Sequence, residues 1–515
     1  MKKVSRSHLI EIIRCRQKFV KALLFTACLF CATVNSYAQT YMEPIGGKPP
    51  AGSKCSESDL SFRVKYQRAF EAVLWSLPAV ANYRFRMGGF SHVGYNDNAI
   101  VAYSAPVSPK FESLTADATE PFIGVCTNLK RGPVILEVPA AASDLSMSGQ
   151  VIDAWQLTIA EIGASGLDKG RASKYLITGP DFNGPIPRGY IHVSSPNYRI
   201  RLIFQVMSGN GKTQKDAYDY AKRLRIYYLS EAKNPPRQVF LDPSKEEFST
   251  LLFYDERYFN DVYDVFTYEP VREQDKYMLG LLATLGIERG KPFNPDPVTK
   301  LLMRQAVIDA WHYMQSLLEN VNRDQYFWID RHYLPLMRTD NNQTFTFEYP
   351  YSIDIDNRAM QYFWCTNLPK NLAKKTSMWH LCAMKDNTGR PFEAGKTYKV
   401  VVPAKMPVTE SWSLTIYDRA TYGFIYSESN RTTISSNDLN KMKRNADGSV
   451  TLFIGPKAIR GYESNWLPTG NKRPMPTFCF YGGTSELFDR TFKLQDFERM
   501  DSTLFATRAG MQASQ

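Results

Sequence analysis

From Ser58 to Trp75 the apolar positions Phe62, Tyr66, Ala69, Phe70 and Val73 recur at helical spacing, and Pro78 is expected to end the helix they define. Between about residue 99 and residue 206 the texture changes to short β-like runs cut by Gly and Pro, among them Pro133 to Val138, Val151 to Ile159 and the alternating Ile200 to Val206. Many short strands with such turns predict a β-sandwich. Thr213-Gln214-Lys215-Asp216 has the form of a capping box, opening a helix whose buried face would be Ala217, Tyr220, Ala221, Leu224 and Tyr227. Pro235-Pro236 ends that unit.

Residues 241 to 335 read as helical. The clearest helix starts at Asp296 as N-cap, with Pro297 at the first position, where a missing N–H costs nothing. Met303, Val307, Ala310, Trp311, Met314, Leu317, Leu318 and Val321 share one face, while Arg304, Asp309, His312 and Glu319 point away from it toward solvent. Strands then return at Lys396 to Val402, Ser411 to Tyr417, Ser449 to Ile454 and Thr477 to Tyr481, and Asp447-Gly448 marks a hairpin turn. A second all-β unit, sandwich or jelly roll, fits this half. The predicted organisation is an N-terminal helix plus β-sandwich (39–240), a helical middle region (241–335) and a C-terminal β-sandwich or jelly roll (336–515).

The first 38 residues read as a secretory leader rather than as fold. A long basic region is followed by the short apolar stretch Ala22 to Val34, and Ser36-Tyr37-Ala38 offers a cleavage site after Ala38. Its seven Lys/Arg and one Glu account for half of the formal charge of +12, so the mature chain carries +6. A mild, dispersed excess of this kind disfavours nucleic acid as a partner. No later stretch approaches the roughly 18 to 20 apolar residues of a bilayer span, so a periplasmic or secreted chain is expected. Five cysteines remain beyond the leader, and Cys365 with Cys382 is the candidate disulfide if thiols are oxidised there; burial as separate thiols is the alternative.

No cysteine/histidine metal box, phosphate-binding glycine loop or nucleophile elbow is present, so no cofactor or metal is expected. His380-Leu381-Cys382 puts two ligand-type side chains on one side of an extended segment, with no second ligand pair nearby, and Asp354-Ile355-Asp356 puts two carboxylates on one face, for acid/base or cation roles or, followed by Asn357-Arg358, as a hydrogen-bonded, ion-paired loop. The aromatic and polar clusters are the candidate ligand-binding residues: Asp153 and Trp155 within an apolar strand, Trp412, Tyr417 and Asp418 around another, and Asn465 and Trp466 in a rigid aromatic turn. Asp153 in particular needs a specific partner, because a buried carboxylate is costly unless bonded. These residues either lock the β-units together or line an amphipathic pocket.

Ser411-Trp412-Ser413-Leu414-Thr415-Ile416-Tyr417-Asp418, Asn445-Ala446-Asp447-Gly448-Ser449-Val450-Thr451-Leu452 and Asn465-Trp466-Leu467-Pro468 resemble the three signature stretches of domain of unknown function 1214. Gly132-Pro133-Val134-Ile135-Leu136, Ile152-Asp153-Ala154-Trp155 and Gly179-Pro180-Asp181-Phe182-Asn183-Gly184 are similarly ordered to those of domain of unknown function 1254. The chain thus resembles exported proteins carrying these two domains in tandem. That resemblance implies an N-terminal immunoglobulin-like sandwich, a helical insert and a C-terminal jelly roll. One departure stands out: where relatives show a Pro-Asn-x-Asp-Thr-x-Tyr stretch, this chain has Ala116 to Phe122, which puts any ligand role of that stretch in question.

Three functions follow as expectations: a binder of a small organic or sugar-like ligand between the β-units, a cofactor-free hydrolase of a carbohydrate or ester using Asp153 and Asp418, or a structural envelope-assembly protein. A homo-oligomer is compatible with each. Whether the chain is an enzyme stays open.

Overall fold

Pro78 does not end the first helix. In the computed structural model, which describes residues 56–500 except 94–95, 118, 120–121, 143, 209–212, 367–377 and 428, one α-helix runs Glu57–Val93 with Pro78 inside it. Proline removes one helical N–H and crowds the carbonyl four residues back, a disruption of about 3 kcal/mol in isolation. Side chains from elsewhere in the chain bond neighbouring carbonyls of this stretch and brace it. The Val73 carbonyl accepts from the Tyr258 hydroxyl at 3.2 Å, the Trp75 carbonyl from the Arg358 guanidinium at 3.2 Å, and the Pro78 carbonyl from Gln156 Nε2 at 2.8 Å. Every residue from Ala72 to Tyr83 is buried, so this stretch is a core helix wrapped on all sides. The predicted leader and Cys55 lie outside the described residues.

The protein is mainly β. In the N-terminal half, six strands pair in the order Phe240–Leu241, Ile100–Val101, Ile123–Asn128, Arg199–Ser208, Leu145–Ile152, Thr158–Ile162. Four more pair as Ile191–Ser194, Ser173–Thr178, Val134–Val138, Arg225–Tyr228. One apolar cluster takes residues from both sheets, including Val125, Val151, Leu202 and Phe204 from the first and Leu136, Tyr175 and Ile226 from the second. The capping box at Thr213 and Asp216 forms as read, but the helix ends at Ala221, and Tyr227 belongs to the strand that follows.

The C-terminal half repeats the plan. Its five-stranded sheet runs Tyr333–Pro335, Met378–Ala383, Pro474–Gly483, Val408–Asp418, Thr433–Ser435, and its four-stranded sheet runs Trp466–Pro468, Val450–Gly455, Tyr398–Val402, Glu498–Arg499. Leu381, Trp412, Leu414, Phe478 and Phe480 of the first sheet share a core with Val400, Val402, Leu452 and Ile454 of the second. At the Asp447-Gly448 turn, Gly448 takes φ 82°, and Arg444 bridges back to Val450.

The helical middle is not a separate body. From Ser61 onward the chain forms one compact unit. The long helix, the helices Tyr258–Phe266, Lys276–Ala283 and Pro297–Glu319 and parts of both β-halves contribute to a single apolar cluster that includes Val73, Trp155, Tyr258, Met303, Met314 and Tyr417. Asp296 caps its helix as predicted, accepting from Val298 N at 2.9 Å and Thr299 N at 3.0 Å. His312 is exposed, whereas Glu319 is tied to Arg473 at 2.6 Å and Asp309 accepts from the Tyr66 hydroxyl at 2.6 Å. No described helix is long and apolar enough to cross a membrane.

One buried acid on this scaffold predicts a pH dependence. Burial pushes the Asp261 carboxyl up from 3.8 to about 7, against the pull of Arg84, whose Nε stands 3.8 Å away. A carboxyl with a raised folded pKa favours folding below its unfolded pKa, and that contribution is lost as pH rises through the folded value. Melting temperature should therefore fall between about pH 5 and about pH 8, and Asp261→Asn should flatten the slope in a thermal scan across that range.

Candidate functional site

Strand register builds the site. In the five-stranded C-terminal sheet His380 lies directly opposite Cys479, Met378 opposite Tyr481 and Cys382 opposite Thr477, while Ser413 flanks Cys479 and Ser411 flanks Tyr481 on the other side. Side chains alternate along a strand, so Leu381, Phe478, Phe480, Trp412 and Leu414 enter the C-terminal core. His380, Cys382, Thr477, Cys479, Tyr481 and Tyr417 turn to the opposite face.

A loop of the N-terminal half covers that face. The Tyr417 hydroxyl donates to the Ala116 carbonyl at 2.7 Å, and the Tyr481 hydroxyl donates to Asp117 Oδ2 at 2.9 Å. Asp117 Oδ1 accepts from the Thr119 backbone N–H at 2.7 Å and from its hydroxyl at 2.6 Å. The Thr119 and Tyr481 hydroxyls also meet. Ligand-type atoms of Asp117, His380 and Cys479 all lie within 4.8 Å of one another. This group is assembled by strand register and by packing of the two halves, not by local spacing.

Electrostatics at the cluster follow burial. Desolvation lowers the His380 pKa, opposed by the neighbouring Asp117 carboxylate. The Tyr417 and Tyr481 hydroxyls are held well above the ordinary tyrosine value, first by burial and then by Asp117. Burial pushes the Cys365 and Cys382 thiols up to about 12, so both are protonated at neutral pH. These two do not form the expected disulfide. The Cys365 thiol is turned to the Thr366 carbonyl at 3.4 Å, and Cys382 Sγ accepts from the Thr477 hydroxyl at 3.4 Å.

Asp117 and His380 line a cavity of about 120 Å³. The rest of its wall is largely apolar, with Phe85, Val101, Phe111, Ile203, Leu336 and Met378 around it. Gly124 also lines it, and a Cβ there would meet only Phe85, at 3.9 Å. A second concavity of about 180 Å³ is lined by Arg338, Asp340, Tyr349 and Asp354. Its acids are already engaged: Asp340 accepts from the N–H groups of Asn342, Thr344 and Phe347, and Asp354 caps the helix Ile355–Trp364. The first cavity, with its mainly apolar wall and two members of the Asp117, His380 and Cys479 group, is the candidate site.

None of the seven candidate ligand residues lines that cavity. Asp153 is in a hairpin turn, not in a strand interior; its Oδ1 accepts from Trp155 N at 2.9 Å and Leu157 N at 2.8 Å. Trp155 packs on Trp75 and Phe266 at 5.2 and 5.5 Å between ring centres, with the Arg272 guanidinium 3.9 Å from its ring. Trp412 faces the C-terminal core, opposite in direction to Tyr417. Asp418 accepts from Ala420 N at 3.0 Å and pairs with Lys472 at 3.2 Å. Asn465, fully buried, ties the loop at Lys443 to the Val450–Gly455 strand; Trp466 starts a strand rather than a turn, with Nε1 on the Gly455 carbonyl at 3.0 Å. Tyr417 alone of the seven reaches the cluster, through the Ala116 carbonyl.

The residues that do form the site were legible only in fragments. The alternation of His380 and Cys382 against Leu381 signalled their common face correctly, but the partner of His380 is Cys479 on the neighbouring strand. Asp117 sits in the departing Ala116 to Phe122 stretch.

Comparison with known families places these residues. The family model described as Protein of unknown function (DUF1254) matches residues 98–228, and that described as Protein of unknown function (DUF1214) matches residues 378–485. The two matches fall in that N- to C-terminal order along the chain. Asp117 comes from the first matched segment, His380 and Cys479 from the second. Among solved structures, the VPA0106 protein from Vibrio parahaemolyticus is similar with a TM-score of 0.49 and 16% identity, over 85% of this chain and 100% of that one. An uncharacterized protein from Burkholderia cenocepacia aligns with a TM-score of 0.35 and 10% identity, over 86% and 96% of the two chains. No curated protein matches.

Proposed function

We propose that this protein is exported and binds a small, mainly apolar organic molecule bearing one polar group, held between its two β-halves. The observation that carries this reading is the cavity of about 120 Å³ with a largely apolar wall into which a few polar groups, Asp117 and His380 among them, are set. A mostly apolar concavity with a few convergent polar groups is the usual form of a small-molecule site. Cavities of about 150 Å³ accept benzene, so this somewhat smaller one takes an occupant of about six heavy atoms, one more if the wall relaxes. The leader-like first 38 residues support export. The halves are proposed to be of the immunoglobulin-like and jelly-roll type that the family resemblance implies.

A carboxylate-pair hydrolase has less support. Asp153 and Asp418 are 3% and 5% exposed, and each has a carboxylate oxygen occupied by backbone N–H groups. Glycosidase chemistry needs its two carboxyls facing each other across an open cleft.

Titration calorimetry with phenol and toluene tests the binding reading. Phenol should bind with Kd on the order of 1 mM or tighter, within the efficiency ceiling for so small a ligand, and toluene more weakly because it offers the polar groups of the wall no partner. Gly124→Leu should fill the cavity and abolish both signals while keeping or raising the melting temperature, since it adds apolar contact and removes a strand glycine. Equal phenol binding by wild type and Gly124→Leu would place the ligand elsewhere.

A further inference from the structure

We propose that Asp117, His380 and Cys479 form a site for a divalent transition-metal ion of the zinc class, beside the cavity that Asp117 and His380 line. The three residues offer one carboxylate oxygen, one imidazole nitrogen and one sulfur within 4.8 Å of one another. This mixed donor set suits zinc or cobalt and is poorly matched to calcium or magnesium, which take oxygen ligands. Donors around a tetrahedral zinc ion stand roughly 3.5 Å apart, so side-chain adjustments of about 1 Å bring the group to bonding geometry.

A second observation comes from the histidine itself. His380 Nδ1 is buried and has no hydrogen-bond partner among the described residues. An unpartnered buried imidazole nitrogen is costly, and a metal bond or a proton partner supplied by a ligand removes that cost. The surroundings resemble the outer support that metal sites use to aim their ligands: the Tyr481 and Thr119 groups orient the Asp117 carboxylate, and register holds His380 across from Cys479. Asp117 and His380 both line the cavity, so the coordination position left by three protein ligands opens toward the organic molecule rather than toward more protein. Binding would displace the Cys479 S–H proton to solvent as the Sγ–metal bond forms.

Cobalt(II) added to the purified full chain is the test, because a thiolate ligand gives cobalt a charge-transfer band in the near ultraviolet and tetrahedral geometry gives intense visible bands. The expected result is one equivalent of cobalt with both features, retained in Cys365→Ser and Cys382→Ser. Affinity should fall about 100-fold in His380→Gln, and the thiolate band should vanish in Cys479→Ser. Circular dichroism of each variant checks folding. Should Cys479→Ser fail to fold, retention of the band in Cys55→Ser, Cys126→Ser, Cys365→Ser and Cys382→Ser still assigns it to Cys479 by elimination, and its loss in any of them overturns the assignment. Absence of a thiolate band in wild type, its persistence in Cys479→Ser, or its loss in Cys365→Ser or Cys382→Ser would overturn the assignment. The assay uses the metal alone, so a failure of phenol binding leaves its result intact, and the reverse holds equally.

Discussion

Asn465→Ala should lose roughly 3 to 4 kcal/mol of stability in urea unfolding without altering phenol binding. The side chain is fully buried and completely used. Its Oδ1 accepts from Lys443 N at 2.9 Å and from the Ser464 hydroxyl at 3.0 Å, and its Nδ2 donates to the Lys443 carbonyl at 2.9 Å and the Thr451 carbonyl at 3.0 Å. Alanine strands one N–H and two carbonyls, each worth about 1 to 3 kcal/mol if left unpaired, less whatever water can recover. Asn465→Asp should be at least as damaging at neutral pH, because its carboxylate would face two carbonyl oxygens and donate nothing. A loss below about 1 kcal/mol would mean that the loop at Lys443 is held by other contacts.

Asp153→Ala should cost about 3 kcal/mol, because the Trp155 and Leu157 N–H groups lose their common acceptor. The hairpin would also loosen against the long helix, where Asn82 Nδ2 donates to the Asp153 carbonyl at 2.9 Å. Asp153→Asn keeps an acceptor oxygen in place and should be close to wild type in stability, with a different pH profile. Burial raises the Asp153 carboxyl from 3.8 to about 6, against the pull of the Leu157 and Trp155 N–H groups. The raised folded value means that its contribution is complete below the unfolded pKa and lost as pH climbs through about 6, so wild type should weaken over that interval and Asp153→Asn should not. Measured by urea titration at several pH values, a stability loss with intact phenol binding supports a structural role. Unchanged stability with lost binding would return Asp153 to the ligand site.

These two residues show what the sequence made legible. A carboxylate among Val151, Ile152 and Trp155 had to be bonded, and it is; the hairpin turn that bonds it escaped notice because the apolar run on either side reads as one strand. The strands of both halves, the capping box at Thr213 and the helix opening at Asp296 are local patterns and emerged near their predicted places. Around Pro78 the first helix is braced by Tyr258, Arg358 and Gln156, which arrive from distant parts of the chain. The candidate site escaped for the same reason. Asp117, His380 and Cys479 are far apart in sequence, and each is unremarkable alone. Only the pairing of Met378–Ala383 with Pro474–Gly483, and the docking of the Asp117 loop on their outer face, bring them together.

The proposed function stands on what occupies the cavity lined by Gly124 and His380. The most direct measurement is a crystal structure of the full mature chain soaked with phenol. The expected result is one ordered phenol ring against Ile203, Phe111 and Gly124, its hydroxyl directed toward Asp117 and His380. Ordered water filling the cavity, or phenol bound only at other places on the molecule, would contradict it.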